Sequence, residues 1–142
     1  MIKSFRELQV WQKAMDLADA VYTATTDFPR VEVFGLTAQI RRAVVSIPSN
    51  IAEGRAIGGG RFLQHIRIAI GSEAEVQTQL ELAVRRSYIT ADQARVLFDD
   101  AAEVGRMLHG LLSSLEAKQA RTRTAGITVL LIVGYAVSVI VG

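Results

Sequence analysis

The sequence predicts an all-α fold, an antiparallel up-down four-helix bundle with an apolar C-terminal extension. Three observations carry this. Apolar residues recur every three or four positions through most of the 142 residues. Only two prolines interrupt that rhythm. The run Leu97, Ala101, Val104, Leu108, Leu111, Leu115 steps by four, three, four, three and four, the regular seam of packed helices. Residues 1–120 are expected to form the bundle and 121–142 the tail.

The first helix is expected from about Phe5 to Thr23. Leu8, Trp11, Met15, Ala18 and Tyr22 form its stripe, widened by Leu17 and Val21. Asp27-Phe28-Pro29 ends it, because the residue before a proline is pushed out of the α region. The second helix starts near Phe34 or Gly35, with Leu36, Ile40, Val44, Ile47 and Ile51 inward. Pro48 has no N–H to give the Val44 carbonyl. Either the helix kinks there, or a new segment starts with Pro48 in its first turn and Ser46 as its cap. Ser46, Ser49 and Asn50 then lie near freed backbone groups, and Gly54 suits a left-handed C-terminal residue. Gly58-Gly59-Gly60 reads as a turn.

The third helix is expected from about Arg61 to Ser87. Its stripe runs through Phe62, Ile66, Ala69 or Ile70, Val76 or Gln77, Leu80 and Val84. Gly71-Ser72 weakens helix propensity by roughly 1 kcal/mol at the glycine, and close approach of a neighbouring helix would compensate. The fourth helix begins after Thr90, a capping residue, with Asp92 in its first turn.

Charge and composition narrow the function. There is no cysteine, hence no disulfide or thiolate chemistry, which fits a cytoplasmic protein. His65 and His109 have no metal-ligand spacing, and no E-x-x-H step marks a di-iron bundle. Glu73, Glu75 and Glu81 with Glu53 are the densest carboxylates, but no nucleophile and base accompany them. Gly58-Gly59-Gly60-Arg61 lacks the lysine and hydroxyl of a phosphate-binding loop. No catalytic residue, metal site or cofactor is expected. Sixteen basic side chains face fourteen acidic ones, a net charge of +2. The basic ones are unevenly placed: Arg41, Arg42, Arg55, Arg61 and Arg67 stand against Glu53 alone between residues 41 and 67. These five arginines are the candidates for contact with RNA or DNA phosphates; scattered solvated arginines are the plainer reading. Asn50 and Glu53, one turn apart, read as local caps of the interrupted helix, with Glu53 placed to pair with Arg42 or Arg55, or as ligand contacts.

The tail from Ala125 to Gly142 carries no charge and follows Arg121 and Arg123. As a helix it would span roughly 27 Å, near the thickness of a bilayer core. Gly134 and Ser138 would form a face of small residues. The run suits a membrane contact through residues 125–142, or burial between copies of the chain.

Several of these residues also carry a resemblance. Phe5-Arg6-Glu7-Leu8 with Trp11, Asp27-Phe28-Pro29 with Glu32, Gly35-Leu36-Thr37 and Gln39-Ile40-Arg41-Arg42-Ala43 belong to it. So do Ser46-Ile47-Pro48-Ser49-Asn50-Ile51-Ala52-Glu53-Gly54, Phe62, Ile68-Ala69, Gly71-Ser72, Glu75, Gln77-Thr78 and Leu80. In these, over about residues 3–115, the chain resembles the bacterial four-helix-bundle proteins encoded in intervening sequences of the 23S ribosomal RNA gene. The resemblance implies a ring-like homopentamer without established enzymatic activity. A related accessory protein of diversity-generating retroelements forms a basic pentameric barrel, binds nucleic acid and works with a reverse transcriptase. Glu73 stands where that family usually has an apolar residue, and the tail after Arg123 lies outside the family pattern.

Overall fold

The computed structural model describes residues 4–141, with side chains described for 4–130 and Ile132. Within them lie four α-helices: α1 (Gln9–Ala24), α2 (Leu36–Ile57), α3 (Gly59–Arg85) and α4 (Ala91–Val141). Short 3-10 turns at Phe5–Glu7 and Arg30–Glu32 precede α1 and α2. No strand occurs among the described residues. The chain divides into two compact units, one ending at Leu112 and one beginning at Ser113.

In the first unit the helices bury one apolar core. Leu17 and Val21 of α1, Ile40, Val44, Ile47 and Ile51 of α2, Ile66, Val76 and Leu80 of α3, and Val104 and Leu108 of α4 are almost fully enclosed. Burying such side chains contributes roughly 1.5–3 kcal/mol each, offset by the entropy of ordering the chain. The α4 seam is inward as expected at Leu97, Ala101, Val104 and Leu108. On α1 the stripe is rotated. Val10, Ala14, Leu17, Ala18 and Val21 are inside, whereas Met15 and Tyr22 are each 43 % exposed. Trp11 packs edge-on against Phe5 with ring centroids 5.3 Å apart, which holds it at the margin rather than in the core. On α3, Ala69 and Val76 take the inward places rather than Ile70 and Gln77, and Ala83 rather than Val84.

Helix ends follow local chemistry. Thr90 and Gln93 form a reciprocal cap at α4: the Gln93 N–H donates to Thr90 Oγ1 (3.2 Å) and the Thr90 N–H to Gln93 Oε1 (2.9 Å). At the end of α3, Ser87 takes a left-handed φ of 58°. This lets the Tyr88 N–H reach the Ala83 carbonyl and the Ser87 N–H reach that of Val84, both at 2.9 Å. The expected extension of α3 to Ser87 stops at Arg85 for that reason.

The interruption expected at Pro48 is absent as a break: α2 is a single helix through it, with the proline ring buried. Ser46 is therefore not a cap. Gly54 is not a left-handed terminus either. That role belongs to Gly58 and Gly59, with φ of 74° and 58°. Gly54 lies inside α2, where a Cβ would stand 2.7 Å from both Phe62 and His65 of α3. The close approach expected at Gly71 is thus found elsewhere: Gly71 is exposed, and a Cβ there would meet nothing within 4 Å. On α4, Gly105 makes room for the buried Glu73 side chain, which accepts a short hydrogen bond from Gln77.

The apolar tail falls largely outside the described residues, since residue 131 and residues 133–142 have no described side chains. The expected Gly134 and Ser138 face lies there. Among the described residues no helix is long and apolar enough to cross a membrane.

The two glycines predict opposite outcomes. Gly54→Ala forces α2 and α3 apart and is expected to lower stability by about 1–3 kcal/mol. Gly71→Ala only restricts the unfolded chain and is expected to raise it by roughly 0.5–1 kcal/mol. Urea unfolding of both variants checks the pair, and equal shifts of one sign would contradict the packing described.

Candidate functional site

Two polar constructions stand out, one on each flank of α2. The first is the seam between α2 and α3, built from the Ser46–Gly54 motif. Antiparallel pairing sets Ser46 opposite Ser72, Asn50 opposite His65 and Gly54 opposite Phe62. The hydrogen atoms in this seam can be assigned in sequence. Ser72 Oγ donates to the Ile68 carbonyl (3.0 Å), so Ser46 Oγ, 2.8 Å away, is the donor between the two serines. Asn50 Nδ2 donates to the Ser46 carbonyl (2.9 Å) and to Ser46 Oγ (3.1 Å). The carbonyl can only accept, which fixes the amide and turns Asn50 Oδ1 toward His65 Nδ1 at 2.9 Å. His65 must then donate from Nδ1. The motif is therefore a directed hydrogen-bond chain from His65 through Asn50 and Ser46 to Ser72 and the α3 backbone.

Glu53 closes the outer end of this chain, with Oε2 3.7 Å from His65 Nδ1. It was expected beside Arg42 or Arg55. The helical step from Asn50 to Glu53 instead carries both side chains to the α3 flank. Ser49 is exposed, and Pro48 faces inward. The seam is a structural lock: the Ser46–Ser72 and Asn50–His65 hydrogen bonds cross between the helices, and the bonds within each helix orient those side chains.

The second construction lies where the end of α1 meets the start of α2. Arg41 Nε donates to Thr25 Oγ1 (2.9 Å), and its Nη2 donates to the Tyr22 carbonyl (3.4 Å). The guanidinium lies over the Tyr22 ring, 4.7 Å from its centroid. Arg41 thus reaches one carbonyl in the last turn of α1, that of Tyr22, and is held by a ring and two bonds. Arg42, the next residue, points outward and is exposed. With Tyr22, Val33, Ala38 and Val45 they line a shallow groove of about 410 Å³. Neither arginine forms an ion pair among the described residues.

The 3-10 turn before α2 borders this groove and is pinned from below. Glu32 Oε2 accepts the Leu36 N–H at 2.8 Å, capping α2, while Oε1 accepts the Tyr88 hydroxyl at 2.8 Å. The Tyr88 ring packs on Phe28 at 5.5 Å. The Leu36 N–H and then the Tyr88 hydroxyl hold the Glu32 carboxyl below its ordinary range, with a smaller contribution from the Arg86 charge. Glu32, Tyr88 and Thr25 were not singled out as site residues. The spacing of Glu32 four positions before Leu36 was the available signal for a cap; its partner Tyr88 lies 56 positions away and left none.

The five arginines do not converge on one patch. Arg41 and Arg42 stand roughly 20 Å along α2 from Arg55. Arg61, exposed in the first turn of α3, belongs to the other end of the α2–α3 hairpin, together with Arg55. Arg55 and Arg67 are engaged within the chain. No group of three or more acidic or histidine side chains could hold a metal ion among the described residues.

Comparison with known proteins agrees with this architecture. The profile of a family described as "23S rRNA-intervening sequence protein" matches residues 6–110. A crystal structure of a protein of unknown function from the S23 ribosomal protein family of Bacteroides thetaiotaomicron superimposes with a TM-score of 0.65 at 26 % identity. It covers 72 % of this chain and 97 % of that one. No curated protein matches.

Because the folded Glu32 carboxyl titrates below its ordinary value of 4.5, its contribution to stability is complete above that pH. It is lost as pH falls through the lowered value. Glu32→Gln is expected to be less stable than the parent at neutral pH, with the gap closing in acid. Unfolding curves at several pH values check this; a constant gap would show that the charge is idle.

Proposed function

Given that the chain belongs to the 23S rRNA-intervening sequence protein family, we propose that it is a non-enzymatic, oligomeric helical-bundle protein that binds RNA or DNA phosphates through arginines. The carrying observation is the groove at Arg41 and Arg42. Two adjacent guanidiniums are displayed there with no carboxylate paired to them, and one is oriented in advance by Thr25 and Tyr22. An oriented guanidinium loses less freedom on meeting a phosphate than a loose one does. Arg61 adds a second cationic point at the far end of the hairpin. Such contacts fix a nucleic-acid backbone without reading its sequence.

Self-association would bring these separate points into one surface. The outward faces of α3 and α4 hold half-exposed Ile68, Leu82 and Val96, which suit contacts between copies. A pentamer is the assembly that the family resemblance implies, and the cytoplasm is the compartment in which it would act.

The test is a binding titration of the full chain against RNA and DNA at two salt concentrations. With two or three phosphate contacts per copy, raising salt from about 50 to about 200 mM is expected to weaken binding roughly tenfold or more. Arg42→Ser is expected to reduce both the affinity and the salt slope. Weak binding that ignores salt would refute the proposal.

A further inference from the structure

The most exposed large apolar side chain in the described structure is Phe34, at 95 %, with Val31 at 83 % in the same turn. Nothing about the turn is loose. Backbone hydrogen bonds run from the Glu32 N–H to Pro29 (2.8 Å), from Val33 to Arg30 (3.2 Å) and from Gly35 to Glu32 (2.9 Å). Glu32 ties it to α2 and to Tyr88. A Cβ at Gly35 would collide with the Glu32 carboxylate, so that residue closes the turn tightly. The same segment buries Phe28 and holds Phe34 in water. Val31, Val33 and Phe34 stand exposed together on this rigid support, and a contiguous apolar patch of that kind suits an interaction site.

The charge of the turn and of the adjoining groove points to the occupant. Arg30, Arg41 and Arg42 form no ion pair among the described residues, and Glu32, the only acid between Arg30 and Arg42, is already committed to the Leu36 N–H and the Tyr88 hydroxyl. Phe34 is not itself part of the groove's lining; it follows directly on Val33, which lines the groove with Tyr22, Arg41 and Arg42, and so stands at its border. A bare ring, a second ring under a guanidinium and three unpaired cations match a ligand with flat π-faces spaced by anions. A duplex keeps its bases stacked on each other and can offer only its phosphates here. An unpaired strand offers both.

We propose that this groove and the turn bordering it bind an unpaired stretch of nucleic acid, with a base stacked on Phe34 and the flanking phosphates met by Arg30 of the turn and by Arg41 and Arg42 of the groove. The proposal rests on the phosphate-binding reading above and sharpens it: the preferred ligand is single-stranded, and Phe34 sets that preference.

The full chain is titrated with a fluorescein-labelled single-stranded RNA of about 20 nucleotides and with the duplex of the same sequence. The parent is expected to favour the single strand. Phe34→Ala is expected to weaken single-strand binding by roughly tenfold and to leave duplex binding unchanged, while Phe34→Tyr keeps the parent affinity. Circular dichroism confirms that the variants fold, which the exposure of the ring favours. Equal loss on both ligands, or no loss on either, overturns the role of Phe34 while leaving the phosphate reading intact. A drop in sedimentation mass in Phe34→Ala also overturns it, since the ring would then be a contact between copies. Salt-insensitive binding of both ligands by the parent would instead defeat the underlying reading.

Discussion

The close approach of α2 and α3 at Gly54 is the constraint on which the rest of the first unit depends. Where a side chain would stand, Phe62 and His65 come within 2.7 Å of the missing Cβ. Helices that close leave little space for water between them, and the half-buried polar groups of the seam pair with one another. The Ser46–Asn50–His65–Ser72 chain is that solution, and it works only in one direction because the Ser46 and Ile68 carbonyls can only accept. Asn50 is distinctive here. An aspartate could not donate to the Ser46 carbonyl, and a leucine would leave His65 Nδ1 and Ser46 Oγ with fewer partners. Pro48 costs the helix one hydrogen bond, and its ring adds apolar surface on the face that meets the core.

That lock on one flank leaves the other flank of α2 free for different work. With the register of α2 set by α3, Arg41 is delivered to the end of α1, where it joins the hydroxyls of Thr25 and Thr26 on the Tyr22 carbonyl. The pinned turn before α2 is delivered against Tyr88, in the link between α3 and α4. Arg42, Val33 and Phe34 are displayed outward as a result. The functional proposal and the fold are therefore connected through one helix: its α3 side is closed by a hydrogen-bonded seam, and its α1 side carries the cationic and aromatic groove.

Much of this was legible in the residues. The four-three rhythm of Leu97 to Leu108 reported a buried face, because only one helical stripe can meet a core. Thr90, with Asp92 in the first turn, announced a helix start; the partner role of Gln93 came from the structure. The α1 stripe was misplaced by about one position, since Leu8, Trp11, Met15 and Tyr22 are as apolar as Val10 and Ala14 and periodicity cannot say which face is covered. Pro48 and Gly54 were read as punctuation, which is their usual local meaning. Their meaning here is tertiary: Gly54 makes room for a neighbour, and Pro48 sits buried within one continuous helix. Arg41 and Arg42 were identified as basic, but their separation from Arg55 and the exposure of Phe34 depend on which helices pair, and no local pattern encodes that.

The direct test of the α2–α3 lock is a double-mutant cycle on Asn50 and His65, with Asn50→Ala, His65→Ala and the double variant unfolded by urea. The account predicts a coupling of roughly 0.5–3 kcal/mol, as for residues in one hydrogen-bond network. Strictly additive losses, with no coupling between the two positions, would contradict it.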